Sequence, residues 1–218
     1  MSRQKADSSS SELSAIRRKG RLFVISGPSG VGKGSVINLV LAQLPSIELS
    51  VSATTRARRP HEIDGTSYHF LTEADFKQRV NQHEFYEHAS YNNRMYGTLR
   101  STVESRTGAG VDLILEIDIQ GARQVRKLDP TAVLIYMQPP GLAELEKRLR
   151  DRATETEETV RERLAIAQEE QKSIRTDYRG HYVITNDVLE QCAEVLKAIV
   201  VAERHRLTGQ PEAPQGFE

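Results

Sequence analysis

A glycine-rich stretch near the start of the chain has the residue types and spacing of a loop that binds phosphate groups. It reads RLFVISGPSGVGKGSV over residues 21–36, an apolar run followed by a turn with one lysine, Lys33. Glycines let the backbone curl so that successive N–H groups point inward, and the helix that follows adds its dipole. Because a chance match has no reason to lie between an apolar strand and an amphipathic helix, the pattern predicts a nucleotide site. The expected phosphate-binding residues are Gly27, Pro28, Ser29, Gly30, Val31, Gly32, Lys33, Gly34 and Ser35.

The hydroxyl of this loop lies one position later than in the usual pattern, which has Ser or Thr directly after the lysine. Here Gly34 follows Lys33, and Ser35 comes next. Since position 34 has no side chain to ligate a metal, we expect Mg²⁺ to be held mainly by phosphates and water, with Ser35 contacting phosphate.

A second cluster of polar residues predicts another anion site. The stretch VSATTRARRPHEIDGTSY, residues 51–68, places Arg56, Arg58 and Arg59 within four positions and beside a tyrosine. Any one arginine could be a solvated surface residue. Three together predict a phosphate clamp, because guanidinium groups bind phosphate with two parallel hydrogen bonds and tyrosine hydroxyls add donors.

Carboxylates close to this clamp indicate what kind of ligand carries the phosphate. The stretch EFYEHASYNNRMYGT, residues 84–98, contains Glu84 and Glu87. Guanine presents two N–H donors that a carboxylate can accept, and its O6 can accept from hydroxyls such as those of Ser52 and Thr98. Adenine presents the wrong pattern. The residues therefore favour a purine monophosphate, with guanine preferred.

The elements that must position these residues alternate between strands and helices. Apolar runs predict strands at LFVIS, VDLILEID, AVLIYMQ and HYVIT. Helices are predicted after the glycine-rich loop, over LAELEKRLRDR, from a Thr154–Glu157 capping box to about Gln171, and from about Asp187. The last helix places Val188, Leu189, Cys192, Val195, Leu196, Ile199 and Val200 on one face. This order predicts a mostly parallel sheet covered on both faces.

The middle of the chain, residues 48–100, has a different composition. Apolar runs are short, and charged, hydroxyl and aromatic residues dominate. We expect a small mixed lobe with short strands around ELSVSATT and SYHFL, and a helix over TEADFKQRVNQ with Thr72 as its N-cap.

The composition excludes several function classes. The 218 residues contain 30 basic and 30 acidic side chains, so no overall field favours nucleic acid or an anionic membrane. No apolar run is long enough to span a bilayer, and the first residues lack the apolar core of a signal peptide. The single cysteine excludes an intramolecular disulfide, and the six histidines have no metal-like spacing. We therefore expect a cytoplasmic protein that binds neither nucleic acid nor membranes.

Five ordered segments together resemble the guanylate kinase family. They are GPSGVGKG, VSATTRARRPHEIDGTSYHF, EFYEHASYNNRMYGT, LEIDIQGA and RLRDRATETEETVRERL, spread over about residues 21–200. The resemblance implies an α/β fold with a P-loop NTPase core and a mostly parallel sheet, an inserted mixed α+β lobe that binds GMP, and a helical lid. The implied bounds are 21–49 and 108–205 for the core, about 50–100 for the lobe and about 142–172 for the lid. Tails at 1–20 and 206–218 would flank them.

The resemblance also implies roles for residues of the GMP lobe. Ser52, Glu87 and Thr98 would read the base, whereas Glu84 would have a structural role at a helix end. Glu116 and Asp118 match an acidic pair that faces guanine and magnesium, and Asp118 would contact the metal through water. The residues that would hold the GMP phosphate, or brace that clamp, are Arg56, Arg59, Glu62, Tyr68 and Tyr96.

The implied reaction is ATP + GMP ⇌ ADP + GDP with Mg²⁺, in purine nucleotide metabolism and GMP recycling, with dGMP as a second acceptor. Lys33 and three lid arginines, Arg148, Arg152 and Arg163, would offset charge on the transferred group, while Arg150 and Arg161 would be solvated. Closure of the lid would exclude water. The resemblance offers Asn186 as a contact to ATP near the adenine. Adenylate kinases share the order lysine, glycine, hydroxyl, so the shifted hydroxyl is compatible with a nucleoside monophosphate kinase.

Three alternatives remain at this point. An adenylate kinase-like enzyme would use AMP, but the Glu87, Ser52 and Thr98 set suits guanine. A non-catalytic guanylate kinase-like module would typically lack the loop lysine and the lid arginines, which this chain keeps. A P-loop hydrolase would leave the second phosphate clamp unexplained.

Overall fold

The structure, a computed structural model, describes residues 19–91, 93–151 and 156–206. Predictions for the two tails therefore fall almost entirely outside the described residues, and those for Arg152 and Thr154 fall wholly outside them. The strands are β1 (Leu22–Ser26), β2 (Ile47–Leu49), β3 (Ala53–Thr54), β4 (His69–Phe70), β5 (Phe85–Tyr91), β6 (Arg94–Leu99), β7 (Asp112–Glu116), β8 (Val133–Gln138) and β9 (Tyr182–Thr185). The helices are α1 (Lys33–Leu41), α2 (Glu73–Asn81), α3 (Arg100–Gly108), α4 (Ile119–Leu128), α5 (Leu142–Asp151), α6 (Glu157–Asp177) and α7 (Leu189–Arg204).

Five strands form a parallel sheet in the order β2-β7-β1-β8-β9. The four strands predicted from apolar runs are all present in it. Because side chains alternate along each strand, β1 sends Phe23 and Ile25 to one face and Leu22 and Val24 to the other. Helices α1 and α7 cover the first face, and α3, α4 and the end of α6 cover the second. The predicted α/β class with a covered parallel sheet is confirmed.

A second sheet in the order β4-β3-β6-β5 forms the lobe. Its β5–β6 pair is antiparallel, and α2 packs Phe76 against Phe85 with ring centroids 4.3 Å apart. The Thr72 hydroxyl accepts a hydrogen bond from the Asp75 N–H, so the predicted N-cap of α2 is confirmed. The stretch ELSVSATT does not belong wholly to the lobe, however, because β2 pairs with β7 in the core sheet.

Helices α5 and α6 pack together through Leu145, Leu149, Val160 and Ala167. The cap of α6 is the Thr156 hydroxyl, which accepts from the Thr159 N–H; the predicted cap, Thr154, lies outside the described residues. The predicted end of this helix near Gln171 is wrong, because the helix continues to Asp177.

The last helix, α7, also differs from its predicted face. Cys192 is buried as expected, but Val188 and Val195 are 44% and 49% exposed, while Ala193 and Glu203 are buried. Tertiary contact with α1 and β9, rather than apolar character alone, decides which side faces inward. None of the described helices is both long enough and apolar enough to cross a membrane.

Candidate active site

The glycine-rich loop connects the buried end of β1 to the first turn of α1. Gly30 and Gly32 have φ of 90° and 97°, the left-handed region that favours glycine. Gly32 also lacks room for a side chain, because a Cβ there would lie 2.6 Å from Nδ2 of Asn186. The positive φ values show that the loop curls tightly, as the sequence predicted, and the Asn186 contact is a second reason for glycine at position 32.

Lys33 is the first residue of α1 and its side chain turns back over the loop. Its Nζ donates to the carbonyl oxygens of Gly27, at 2.7 Å, and Pro28, at 3.4 Å. Gly34 lies near Glu116, since a Cβ at 34 would be 3.7 Å from Oε2 of that carboxylate, and Ser35 is exposed. The lysine ammonium is therefore held at the mouth of the loop, where an incoming phosphate would meet it.

Helices α5 and α6, the region predicted to form a lid, contact the loop directly. Arg163 on α6 donates from Nη1 to Oγ of Ser29, at 2.6 Å. A Cβ at Gly30 would lie 2.8 Å from Cδ2 of Leu149 on α5, so the two helices rest on neighbouring residues of the loop. The structure thus brings Arg163 to the residues that are predicted to bind phosphate.

Arg148 and Asn186 contact the loop from outside the cavity that the loop helps to line. Nη1 of Arg148 donates to the carbonyl oxygen of Asn186, at 2.9 Å, and Nε pairs with Glu144 at 2.9 Å. The Asn186 side chain is buried and donates from Nδ2 to the Val31 carbonyl oxygen, at 2.7 Å. In this arrangement both side chains support the backbone of the loop, and the predicted contacts with phosphoryl group and adenine stay predictions.

The arginine cluster of the lobe is organised by one carboxylate. Glu62 accepts from Arg56 Nη2 at 2.6 Å and Nη1 at 3.0 Å, and from the Arg59 backbone N–H at 2.8 Å. The hydrogen bond from Arg56 is the main reason that the pKa of Glu62 falls to about 2. Arg56 also lies over the ring of Tyr68, 5.3 Å from its centroid. The expected brace of Glu62 on an arginine matches this geometry.

Glu87 lies on β5 opposite Thr98 on β6. The Thr98 hydroxyl donates to Oε1 of Glu87 at 2.7 Å, and the glutamate is only 3% exposed. Burial raises the pKa of Glu87 to about 7, although the hydrogen bond from Thr98 lowers it, and the nearby charge of Asp118 adds to the rise. By contrast, Glu84 pairs with Arg79 at 2.9 Å on the surface, which agrees with a structural role.

Glu116 ends β7, and Asp118 follows it as the N-cap of α4. Oδ1 of Asp118 accepts from the Gly121 N–H at 2.8 Å. Carboxyl ends of parallel strands are where ligands bind in open α/β sheets, so both carboxylates are placed to face a nucleotide.

One cavity of about 220 Å³ joins these elements. It is lined by loop residues, including Lys33, by Ser52, Tyr68, Glu87 and Tyr96 of the lobe, and by both carboxylates after β7. Arg56 and Arg59 are not among the lining residues, but Tyr68, over whose ring Arg56 lies, is one of them. The structure therefore brings the glycine-rich loop and the proposed base reader to a single cavity.

The cavity also contains residues that sequence reasoning missed, notably Ile166 and Glu170 on α6. With Arg163 they have the spacing i, i+3, i+7, which places them on one helical face. Oε2 of Glu170 accepts from the Tyr136 hydroxyl at 3.2 Å, and burial raises the pKa of Glu170 while Lys33 lowers it. The spacing was visible in the sequence, but nothing there showed which face of α6 meets the cavity.

The chain is similar to proteins of known activity along nearly its whole length. The family model described as guanylate kinase matches residues 19–203. A guanylate kinase of Thermotoga maritima is 44% identical over 200 residues, 92% of this chain and 95% of the relative. One of Methylobacillus flagellatus is 46% identical over 188 residues, 86% of this chain and 92% of the relative. The crystal structure of guanylate kinase from Anaplasma phagocytophilum superposes with a TM-score of 0.69 at 30% identity, covering 87% of this chain and 88% of that one.

Proposed function

This chain belongs to the guanylate kinase family and catalyses the ATP-dependent phosphorylation of GMP to GDP, and we propose that the two substrates meet at the cavity between loop and lobe. The observation that carries the proposal is that Lys33 and Glu87 line one space. A phosphate loop alone would serve any nucleoside triphosphatase, whereas a buried carboxylate across the same cavity gives it an acceptor site.

Guanine is read by Glu87 together with Thr98 and Ser52. The ionised carboxylate accepts from the ring N–H and the exocyclic amine, and Thr98 fixes its position through the 2.7 Å hydrogen bond. Adenine has an unprotonated N1 and no 2-amino group, so the buried carboxylate would receive neither of the two donors that guanine supplies, which is costly. The ribose 2′-hydroxyl has no part in this recognition, so dGMP is accepted as well.

The phosphate of GMP is held by Arg56, Arg59, Tyr68 and Tyr96. Glu62 fixes the Arg56 fork, which leaves the guanidinium a preformed planar donor. The bound phosphate is already mostly ionised near neutral pH, so it attacks the γ-phosphorus of ATP in line without a general base. Positioning of the two phosphates is thus the chief contribution of the lobe.

On the donor side, loop N–H groups and Lys33 bind the ATP phosphates, and Arg163 reaches the transferred group from α6. Its 2.6 Å contact with Ser29 shows that the guanidinium spans the distance from the lid helix to the loop. Arg148 and Arg152 join it when the lid closes, and closure excludes water that would otherwise hydrolyse ATP.

The residues present fit a magnesium ion that is held mostly by the substrates. Among the described residues, no three His, Cys, Asp or Glu side chains are close enough to hold a metal by themselves. Glu116 and Asp118 line the cavity beside Lys33, and Mg²⁺ typically keeps several waters and takes one or two carboxylates plus substrate phosphates. When bound, the ion would neutralise charge on the phosphates, and Glu116 and Asp118 are the carboxylates that would help to hold it.

A monophosphate panel tests this proposal. With ATP and Mg²⁺ held constant, ADP release is measured with GMP, dGMP, AMP, CMP and UMP as acceptors. We expect GMP and dGMP to be used and AMP to be slower in kcat/KM by about 10⁴-fold, the scale reached by sites built to hydrogen-bond one polar group. Comparable turnover of AMP and GMP would contradict the base assignment.

A further inference from the structure

Gly121, in the first turn of α4, lies directly against the carboxylate of Glu87. A Cβ at position 121 would be 2.4 Å from Oε2 of Glu87 and 3.1 Å from its Cδ. Both distances are shorter than ordinary van der Waals contact. The glutamate therefore occupies space that any other residue at 121 would fill with its side chain.

The backbone of Gly121 gives no other reason for glycine. Its φ is not in the left-handed region, and it lies within a regular helix, where glycine costs about 1 kcal/mol relative to alanine. Its N–H donates to Asp118, a hydrogen bond that any residue but proline could make. A Cβ would also lie 3.2 Å from Cδ1 of Ile117, but that atom is the end of a flexible side chain and needs to shift by only a few tenths of an ångström. The contact with the Glu87 carboxylate is therefore the tightest at this position.

The strand that carries Glu87 cannot simply move away from α4. Gln124, one turn further along α4, receives the His88 N–H at Oε1, at 3.2 Å, and donates from Nε2 to the His88 carbonyl oxygen, at 2.6 Å. On the other side, Thr98 holds Oε1 of Glu87. A side chain at 121 would therefore displace the carboxylate itself, into the cavity, rather than the strand.

We propose that Gly121 is a positioning residue for guanine recognition: the absence of its side chain forms the slot in which the Glu87 carboxylate is seated to accept from the base. This inference rests on the proposed role of Glu87. If Gly121 has this role, the position of the base-reading carboxylate depends on helix α4 although α4 supplies no side chain at position 121.

The central test is Gly121→Ala. The carboxylate must move by about 1 Å to reach normal contact distance with the new Cβ. A misplacement of that size can lower the rate of an enzyme by about 10²-fold. We expect kcat/KM for GMP to fall 10- to 100-fold while the KM for ATP, measured at saturating GMP, changes less than twofold. The matched control is Gly108→Ala at the end of α3, where a Cβ meets nothing within 4 Å, and it should leave both values unchanged.

A second variant distinguishes displacement of the Glu87 carboxylate from general destabilisation of the protein. In Glu87→Asp the side chain is shorter by one methylene, so its carboxylate no longer reaches position 121. The double variant Glu87→Asp, Gly121→Ala should therefore have a kcat/KM for GMP less than threefold below that of Glu87→Asp alone. If Gly121→Ala alone does not fold, judged by its circular dichroism, the double variant should fold; failure of both, or additive losses, would overturn the inference.

The outcome also distinguishes this inference from the proposed function. If Glu87→Gln leaves GMP use unchanged, the role of Glu87 itself is wrong. If Glu87→Gln abolishes GMP preference while Gly121→Ala behaves like Gly108→Ala, only the positioning role is wrong.

Discussion

The substitution Glu87→Gln should stabilise the free protein at alkaline pH while removing its preference for GMP. Glu87 is 3% exposed and its pKa lies at about 7, against an ordinary value of 4.5. A carboxyl whose pKa is raised by folding favours the fold most while it is protonated, and that advantage is lost as the pH rises through the folded-state pKa. Above about pH 7 the native protein therefore contains a buried charge that the unfolded chain exposes to water.

The magnitude follows from the size of that rise. The difference between 4.5 and about 7 corresponds to about 3 kcal/mol at pH 8.5, at about 1.4 kcal/mol per pH unit. Burying the neutral amide offsets about 1 kcal/mol of the gain. The variant should thus be more stable by about 2 kcal/mol, or about 4–8 °C in Tm for a chain of this size.

The assay is thermal unfolding of the ligand-free protein by calorimetry between pH 4.5 and 8.5. The Tm difference between variant and wild type should be largest at pH 8.5 and should decrease as the pH falls. Near pH 4.5 the carboxyl is protonated in the native protein and half protonated in the unfolded chain, so the difference should vanish or change sign because only the burial cost of the amide remains. In parallel, kcat/KM for GMP should fall at least about 100-fold, because the amide offers a donor where guanine also has one.

Glu84→Gln is the matched control. This glutamate lies in the same lobe, and its surface pair with Arg79, both near 40% exposed, contributes little to stability. A Tm difference of Glu87→Gln that is absent or reversed at pH 8.5, or one that does not change with pH, would refute the reasoning, as would the same gain in the control.

Further outcomes follow from other contacts of the site. Glu62→Gln should raise the KM for GMP about 10-fold or more while leaving the KM for ATP within twofold, because the Arg56 guanidinium loses its charged partner. Since the pKa of Glu62 is about 2, this carboxylate stays ionised down to pH 5, and wild-type GMP binding should show no loss from it over that range. Steady-state kinetics check both outcomes. Arg163→Ala should lower kcat by at least about 10²-fold with little change in substrate binding, whereas the exposed neighbour Arg161→Ala should be close to wild type in the same turnover assay. Ser35→Ala should leave the Mg²⁺ dependence of ATP binding intact in calorimetric titrations, and a loss confined to Mg²⁺ affinity would show that its hydroxyl is a metal ligand.

The sheet and the loop could be predicted because their signals are local. Buried parallel strands appear as continuous apolar runs, and all four such runs lie in the core sheet. A loop that binds phosphate through its own backbone needs only neighbouring residues, so its pattern is visible within ten positions. The start of α2 was equally local, since Thr72 caps a helix that begins one residue later.

Predictions failed where partners distant in sequence decide the outcome. Val195 has the helical spacing of a core residue but is 49% exposed, because the position of α7 against the sheet selects a different face. For Arg148 the role in the reaction comes from resemblance and stays a prediction; in the structure its guanidinium binds backbone carbonyl oxygens of the loop and of Asn186, contacts that the sequence did not indicate. Long polar side chains have many possible partners within reach, and sequence spacing does not choose among them.

Glycine shows the same division between local and distant causes. Gly30 and Gly32 were attributed to a curled backbone, and their positive φ values confirm that local reason. The glycine at 121 appears in the same family-like segments, yet its backbone is ordinary helix, and the atom that excludes a side chain belongs to a residue 34 positions earlier in the chain. Such a glycine marks a place where another group must fit. The reason for glycine at such a position becomes visible only when the fold brings that group close. A helical glycine beside a substrate cavity whose dihedral angles are ordinary is therefore a candidate for a position where a neighbouring side chain needs the space.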